Sequence, residues 1–530
     1  MKTAAIVAGL FVTGVAVNLY FARAGYMPLD QSIVFDGAWR LMGGQVPFRD
    51  FAAPNAFVPS IMQVPFFRVW GPTWFAYCLH ASVVNGLFAI GAYAALRMCE
   101  ATRVEATLFA ALSTLYFYPP NGTPFMDQHA FFFSVLMMVA AIAGTVASTR
   151  AGEFVAWALV PVLFTLAYLS KQVPTAFAGV SVAVWVVLHP ARMGHWIAAA
   201  ACGSAVVAAV LLVVVLGAHV DSRTAFTYLV TMPMSVGAER TTGGGAVASV
   251  RLVAGTLRRL PVWLNCLSLA APIVGLLTVP FTFRRDDRWA LRAWLSASLL
   301  LMTAAFIAYT VNQIEDGEPV VMLLVGVGAV MVRRAVVAAA PDAGAARRFA
   351  FAVTAIIAAL AVRDTVVFTR DVDVTRSVLD MHFNPREADA AEGHLPSDFA
   401  FLRWNATEGY SPDELTGAVR FLRDSPGNFL LIGDTSMLNA LARKPSVSPA
   451  LWLHPGLSMP IPGTPAFDRF ESELVARLDR FRVRYLVLEE PSSIRGISLA
   501  AFPRVKAIAS AHGCAERHFG NVRVIDLCPS

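Results

Sequence analysis

The chain has 530 residues, of which 57% are hydrophobic and 15% are charged. Soluble domains carry about 25% charged residues, so this composition argues against a soluble enzyme and favours a membrane protein. Six cysteines without a Cys/His cluster at ligand spacing argue against a zinc module or a disulfide scaffold. Residues 1–367 hold 24 Lys and Arg against 16 Asp and Glu, whereas residues 368–530 hold 18 against 20. We therefore expect two differently built domains with these boundaries.

Eleven apolar segments are candidates to span a hydrocarbon core of about 30 Å, which takes roughly 20 helical residues. The six stronger candidates are 4–22, 75–97, 129–148, 195–217, 262–283 and 289–311. The five weaker ones are short or interrupted, and they are 104–118, 154–170, 174–188, 319–332 and 349–367. The predicted fold class is an α-helical polytopic membrane protein with about 11 transmembrane helices.

The arginine-bearing short loops fix the predicted orientation, because Lys and Arg are retained on the cytoplasmic side. The loops 119–128 and 312–318 contain neither residue, which is expected of outside loops. An inside N-terminus and eleven spans then put the long loops 23–74 and 218–261, and the C-terminal domain, outside the bacterial plasma membrane. The first segment resembles a secretory signal, but its apolar core is long, so we expect an uncleaved anchor.

The C-terminal domain shows three strand patterns, at 429–433, 484–488 and 521–527, and a helical pattern at 467–481. These patterns predict a small extracytoplasmic α/β domain. Cys514 and Cys528 flank its last hairpin-like segment. Since the predicted compartment is oxidising, we expect them to form a disulfide.

The first outside loop carries three acids: Asp30, Asp36 and Asp50. An ionisable group near the membrane costs free energy, so each is a candidate functional residue. Asp30 and Asp36 are six residues apart and do not share a helix face, so at most one is the central acid. The structural alternatives are solvated helix caps for Asp30 and Asp36, and a structural ion pair with Arg49 for Asp50.

Two further clusters follow. Asp127 and His129 lie at the start of the apolar segment 129–148. Asp127 is a candidate acid and, alternatively, a helix N-cap. Lys171, one of only four lysines, and Gln172 lie in a polar break between two half-length apolar segments. Lys171 is a candidate cation for a lipid phosphate and, alternatively, a snorkelling side chain.

Glycosyl transfer from a polyprenyl phosphate requires a carboxylate to accept the proton of the acceptor hydroxyl, and a cation to neutralise the departing phosphate. An acid of the outside loops and Lys171 are candidates to supply these two groups, and the family resemblance described below implies that the acid is Asp30. Arg223 and Arg240, in the second long loop, are further candidates to bind a polar headgroup. Asp127 and His129 are candidates to position the acceptor or tune the base.

The first loop also resembles a known family. In order it contains Asp30, Gly44, the run Pro47-Phe48-Arg49-Asp50-Phe51, Pro54 and Pro59. This arrangement is similar to the first luminal loop of GT-C glycosyltransferases, and most closely to the bacterial branch related to protein O-mannosyltransferases and the lipid A aminoarabinose transferase.

The resemblance implies that Asp30 is the catalytic base, that Asp127 is the acid of the second outside loop, and that Lys171 and Gln172 face the lipid phosphate. It implies inverting transfer of a hexose or pentose from a polyprenyl-phosphate donor to a glycan, lipid or protein acceptor, with no nucleic-acid partner. No cofactor is implied with certainty. A divalent metal stays open, because Gln31 stands where the family usually has a second acid.

Other functions remain open at this point. A transporter or flippase is expected to have two related halves, and the halves here are not similar. An O-antigen ligase-like enzyme also has many spans, but its large loop comes late in the chain. A membrane scaffold is a third alternative, with the C-terminal domain as an interaction surface.

Overall fold

The computed structural model describes residues 2–26, 28–235, 270–279, 288–310, 319–339, 343–375, 385–404, 411–489 and 497–528. The helices of the N-terminal part are α1 (Lys2–Ala22), α2 (Pro28–Met42), α3 (Phe57–Trp70), α4 (Trp74–Met98), α5 (Arg103–Phe117), α6 (Met126–Thr145), α7 (Arg150–Ser170), α8 (Gln172–Val187), α9 (Pro190–Gly217), α10 (Ser222–Phe226), α11 (Ala270–Leu277), α12 (Trp289–Thr310), α13 (Val321–Ala339) and α14 (Ala343–Thr375). A π-helical turn, Thr227–Thr231, follows α10.

Eight helices in these described ranges are long and apolar enough to cross a membrane: α1, α4, α6, α7, α9, α12, α13 and α14. The apolar α8 is shorter, with 16 residues. Each of the eleven predicted segments overlaps a described helix, with α5 and α11 matching two of the remaining segments. The chain is therefore a multi-pass membrane protein. The helix α14 continues through the expected domain boundary at residue 367 as far as Thr375.

Small residues let α1 and α4 pack closely. A Cβ atom added to Gly14 would lie 2.6 Å from the Cα atom of Gly86. The side-chain amide of Asn85 donates to the carbonyl oxygens of Gly14, at 2.9 Å, and of Thr114, at 3.0 Å. Backbone contact across small residues and interhelical hydrogen bonds replace the hydrophobic effect, which cannot drive helix association within lipid.

The C-terminal domain is an α/β sandwich. Its helices are α15 (Pro385–Ala390), α16 (Pro412–Asp424), α17 (Leu438–Leu441), α18 (Pro465–Arg480) and α19 (Pro503–His512), with single 3₁₀ turns at Ser397–Phe399 and Leu499–Ala501. Its strands are β1 (Asn428–Ile432), β2 (Val483–Glu489), β3 (Gly513–Phe519) and β4 (Val522–Leu527). The sheet order is β1-β2-β4-β3, with β1 parallel to β2 and the other two pairs antiparallel.

Both faces of this sheet are covered. Leu430 and Ile432 of β1 pack with α18 and α19, whereas Phe429 and Leu431 belong to a core that α16 shares with the first outside loop. This alternation follows from the strand period of two residues. The strand β3 is an edge strand that pairs with β4. Cys514 of β3 and Cys528, which follows β4, form a disulfide with a sulfur–sulfur distance of 1.98 Å.

The C-terminal domain is joined to the first outside loop by backbone hydrogen bonds and by aromatic packing. The amide of Ala52 donates to Pro449 at 2.9 Å, and the amide of Leu451 donates to the Ala52 carbonyl at 3.0 Å. A buried cluster of rings crosses the same junction and consists of Tyr26, Trp74, Phe399 and Trp404. The domain is therefore seated directly on α2 and α4.

We predict that Gly14→Leu lowers the stability of the folded protein by about 1–3 kcal/mol or more, because the added atoms overlap the backbone of α4. The matched control is Gly9→Leu in the same helix, where an added Cβ meets nothing within 4 Å. Thermal unfolding of the purified proteins in one detergent measures the effect. Equal melting temperatures for the two variants would contradict the packing of α1 on α4.

Candidate active site

The break between α7 and α8 positions Lys171. This residue has an extended backbone, with φ −160° and ψ 139°, between two helices. The first outside loop satisfies the polar groups of the break: the amide of Ala56 donates to the Ser170 carbonyl at 3.0 Å, and the Gln172 amide group donates to the Pro54 carbonyl at 2.6 Å. The break is thus held against the first loop, and Gln172 contacts the protein backbone at this junction.

Lys171 forms an ion pair with Asp127. The ammonium nitrogen lies 2.5 Å from a carboxylate oxygen of Asp127, which is fully buried, while the Lys171 side chain is 16% exposed. The ammonium group also lies 5.1 Å from the centre of the Phe306 ring. Asp127 is in the first turn of α6, whose N-cap residue is Phe125. The lysine side chain therefore extends towards the first turn of α6, where Asp127 lies, and towards Phe306 of α12.

Asp30 lies in the first turn of α2 and interacts electrostatically with Asp127 and Lys171. Burial raises the pKa of Asp30 to about 6, the negative charge of Asp127 adds to this rise, and the positive charge of Lys171 opposes it. The three residues expected to carry the chemistry are thus brought together. A carboxylate with a pKa near 6 is ionised at neutral pH and is basic enough to accept a proton.

Asp434 of the C-terminal domain contributes a further charge to this group, because it also raises the pKa of Asp30. It follows β1, and the Glu489 carboxylate at the end of β2 accepts hydrogen bonds from the amides of Asp434 and Thr435. The Ser436 hydroxyl then donates to the Ser32 carbonyl of α2 at 3.4 Å. Sequence analysis missed Asp434, although acids at the carboxyl ends of two strand patterns are a signal for a site.

Asp36 faces away from this group. Its carboxylate accepts hydrogen bonds from Arg40 at 2.7 Å and from the Ser446 hydroxyl at 2.5 Å, and Arg40 also donates to the Ser448 carbonyl at 2.7 Å. Burial raises the pKa of Asp36, and Arg40 and Ser446 oppose that rise. Asp36 therefore joins α2 to the C-terminal domain, and the structure does not bring it to Asp30.

Asp50 closes a turn of the first loop. It accepts hydrogen bonds from the Val46 amide at 2.8 Å and from Arg49 at 2.6 Å. Burial acts to raise the pKa of Asp50, but these two hydrogen bonds outweigh it and hold the pKa below its usual range. The contacts match the structural alternative expected for Asp50.

His129 belongs to a buried hydrogen-bonded chain. Its Nδ1 atom lies 2.6 Å from the Tyr118 hydroxyl, and its Nε2 atom lies 3.1 Å from Nε2 of His80. Nδ1 of His80 lies 2.9 Å from Oε1 of the Gln63 side chain. The chain joins α3, α4 and α6, and both ring nitrogens of His129 are occupied by protein groups. Sequence analysis did not identify Gln63 or His80.

Arg223 is not among the described charges that act on Asp30 in the group of Asp30, Asp127 and Lys171, which we call the Asp30 group. Arg223 is exposed on the short helix α10. Just before this helix, the amide of Asp221 donates a hydrogen bond to the Phe48 carbonyl of the first loop at 3.2 Å. Arg240 lies outside the described residues.

We tested whether the described side chains fit a divalent metal. In the described ranges, only Cys514, Asp526 and Cys528 bring three potential ligand atoms together, and both sulfurs belong to the disulfide. Near Asp30, the ammonium group of Lys171 already neutralises Asp127. The described residues around Asp30 therefore do not fit a metal site, and no step below depends on one.

Comparison with protein-family models and with curated protein sequences found no match. Among solved structures, the chain is similar to ArnT from Cupriavidus metallidurans bound to undecaprenyl phosphate, with 12% identity, a TM-score of 0.56 and coverage of 100% of this chain and 98% of ArnT. The apo form of ArnT gives 12% identity, a TM-score of 0.55 and coverage of 99% and 98%. The chain has a GT-C fold.

An apo oligosaccharyltransferase from Archaeoglobus fulgidus is also similar, with 10% identity, a TM-score of 0.44 and coverage of 91% of this chain and 69% of that one. The match to ArnT extends over both parts of the chain, so the GT-C fold here includes the C-terminal domain as well as the helices. The resemblance seen in the first loop is confirmed at the level of the fold.

We predict that Asp127→Asn and Lys171→Met each lower the free energy of unfolding by about 3–5 kcal/mol, because each leaves one buried charge without its partner. The double variant should lose less than the sum of the two single losses. Thermal unfolding of all four proteins in detergent measures this cycle. Additive losses would show that the two side chains do not form the buried pair.

Proposed function

We propose that the protein transfers a sugar from a polyprenyl-phosphate donor to an acceptor at the extracytoplasmic face of the plasma membrane. The observation that carries the proposal is the grouping of Asp30, Asp127 and Lys171 beside the break between α7 and α8. One structure with the same fold, that of ArnT, was solved with undecaprenyl phosphate bound, which supports a lipid-linked donor.

An apolar cleft supports the same donor. It has a volume of about 530 Å³ between α6, α7, α8 and α9, and its walls include Phe164 and Ala176. These two residues lie within about two helical turns of Lys171 along their helices. A polyprenyl chain in this cleft would leave its phosphate group near the ammonium group of Lys171.

The reaction that we propose uses two groups of this chain. Asp30 accepts the proton of the acceptor hydroxyl as that oxygen attacks the anomeric carbon from the side opposite to the phosphate. The bond between the anomeric carbon and the phosphate oxygen breaks, its electron pair stays on the phosphate, and Lys171 neutralises the departing charge. Asp127 holds the ammonium group in position. By analogy with the fold family, the anomeric configuration inverts.

We predict that Asp30→Asn folds normally but lowers the transfer rate by about 10² to 10⁴, the usual contribution of a general base. The assay measures release of polyprenyl phosphate by the purified protein from polyprenyl-phosphate-linked hexoses and pentoses. The control is Asp424→Asn, an exposed acid in the C-terminal domain. Full activity of the Asp30 variant would overturn its role as base.

Solute flux into liposomes containing the protein separates transfer from transport. We expect release of polyprenyl phosphate without flux of the solute. Flux without release of polyprenyl phosphate would favour a transporter over the transferase.

We predict that the transfer rate rises with pH through about 6 and then levels off, because the base must be ionised and burial raises the pKa of Asp30 to about 6. Asp434→Asn should move this rise to lower pH, since it removes a negative charge that raises the pKa of Asp30. The control Asp424→Asn removes the same charge from an exposed position of the same domain. An unchanged profile in the Asp434 variant would exclude Asp434 from the neighbourhood of the base.

A further inference from the structure

The end of the helix bundle that we expect to face the cytoplasm carries a large excess of positive charge. Eight arginines and two glutamates lie at or near the ends of α4, α5, α12, α13 and α14: Arg97, Arg103, Arg288, Arg292, Arg333, Arg334, Arg347, Arg348, Glu100 and Glu105. Among the residues that the structure describes, this belt has more positive than negative charges, which favours a positive potential at one membrane surface.

The two glutamates are already engaged within the protein. Glu100 pairs with Arg288 at 3.8 Å, with Arg292 at 3.2 Å and with Arg334. Glu105 accepts from the Thr102 amide at 2.6 Å and pairs with Arg333 at 2.8 Å. Both carboxylates that the structure describes in this belt therefore already have arginine partners.

Arg347 is another arginine of this belt. It lies near the start of α14, is exposed, and has no ion-pair partner among the residues that the structure describes. It lines a cleft between α5, α13 and α14, which is also lined by Arg333 and by Glu105, the ion-pair partner of Arg333. An unpaired guanidinium group beside Arg333 is suited to bind phosphate oxygens.

The cleft beneath these arginines is apolar and of the size of a ligand site. It has a volume of about 590 Å³, within the range of about 300–1,000 Å³ for small-molecule pockets. Its walls include Val104, Leu108, Val337 and Phe351. Val104 and Phe351 are 77% and 75% exposed, so the cleft opens toward the surrounding lipid. Apolar walls below a cationic rim match an amphiphile with acyl chains and an anionic headgroup.

We propose that this cleft binds an anionic glycerophospholipid of the bilayer, with its phosphate at Arg347, beside the ion pair of Arg333 with Glu105, and an acyl chain against α5 and α14. Basic pockets between transmembrane helices are known to bind acidic headgroups. The bound lipid would fill the gap between α14 and the rest of the bundle and so stabilise it. This site is separate from the Asp30 group and does not depend on the proposed transfer reaction.

The test measures lipid retention by the full-length protein, purified in detergent. Dioleoyl phosphatidylglycerol and dioleoyl phosphatidylcholine have the same chains, so they differ only in headgroup. By native mass spectrometry we expect retention of phosphatidylglycerol, and by thermal unfolding we expect a higher melting temperature with phosphatidylglycerol than with phosphatidylcholine. Equal retention of both lipids would overturn the proposal.

Two variants locate the site. Arg347→Ala should weaken the apparent affinity for phosphatidylglycerol about fivefold, the contribution of one basic residue at a lipid surface. Val337→Trp keeps all charges but fills the cleft, and it should also reduce retention. The control is Arg150→Ala, an exposed arginine at the start of α7 that does not line this cleft.

Unchanged affinity in both Arg347→Ala and Val337→Trp would place the lipid elsewhere. Polyprenyl phosphate, added as a competitor, tests the choice of lipid. If it displaces phosphatidylglycerol at lower concentration, the cleft is a site for the isoprenoid lipid, and the glycerophospholipid assignment is wrong.

Discussion

The break at Lys171 is the constraint on which the rest of the proposed site depends. Backbone groups that are buried where two helices meet need hydrogen-bond partners, so such a break is stable where the protein supplies them. Here the first outside loop does so, because the Ala56 amide donates to the Ser170 carbonyl. The Pro54 carbonyl of the same loop accepts a hydrogen bond from the Gln172 side chain. The same contacts that make the break possible therefore fix the distance between Lys171 and the loop that carries Asp30.

The C-terminal domain is part of this arrangement. Arg40 and Asp36 bind it to α2, and the ring cluster around Tyr26 fills the junction with apolar surface. Through Asp434 and Ser436 the domain reaches the first turns of α2, where Asp30 lies. An acid about 400 positions away in the chain thus adds to the effects of burial, Asp127 and Lys171 on the pKa of the proposed base.

The two ends of the helix bundle differ in their charge. At the end with the Asp30 group, Lys171 pairs with Asp127 and acts on Asp30, and the proposed chemistry uses both a negative and a positive group. At the opposite end, the described arginines outnumber the glutamates that pair with them, and the excess positive charge is suited to bind anionic lipid headgroups. The uneven distribution of arginine between the two sets of loops, which predicts the orientation of the chain, therefore also accounts for two different kinds of proposed binding site.

The sequence by itself determined the local features. Hydropathy located eleven apolar segments that each overlap a described helix, and eight of these helices are long and apolar enough to cross a membrane. Three strands of the C-terminal sheet followed from their apolar residues. Helical phase separated Asp30 from Asp36, since six residues place two side chains on different faces. The edge strand β3 was missed because its exposed residues include no apolar run.

Only the tertiary structure decided which polar groups meet. It paired Lys171 with Asp127, 44 residues away, joined His129 to His80, and brought Asp434 to the Asp30 group. Such contacts depend on how helices pack and on where a separate domain is seated. Their free energy comes from burial and pairing between distant segments, which leaves no periodic pattern in the sequence.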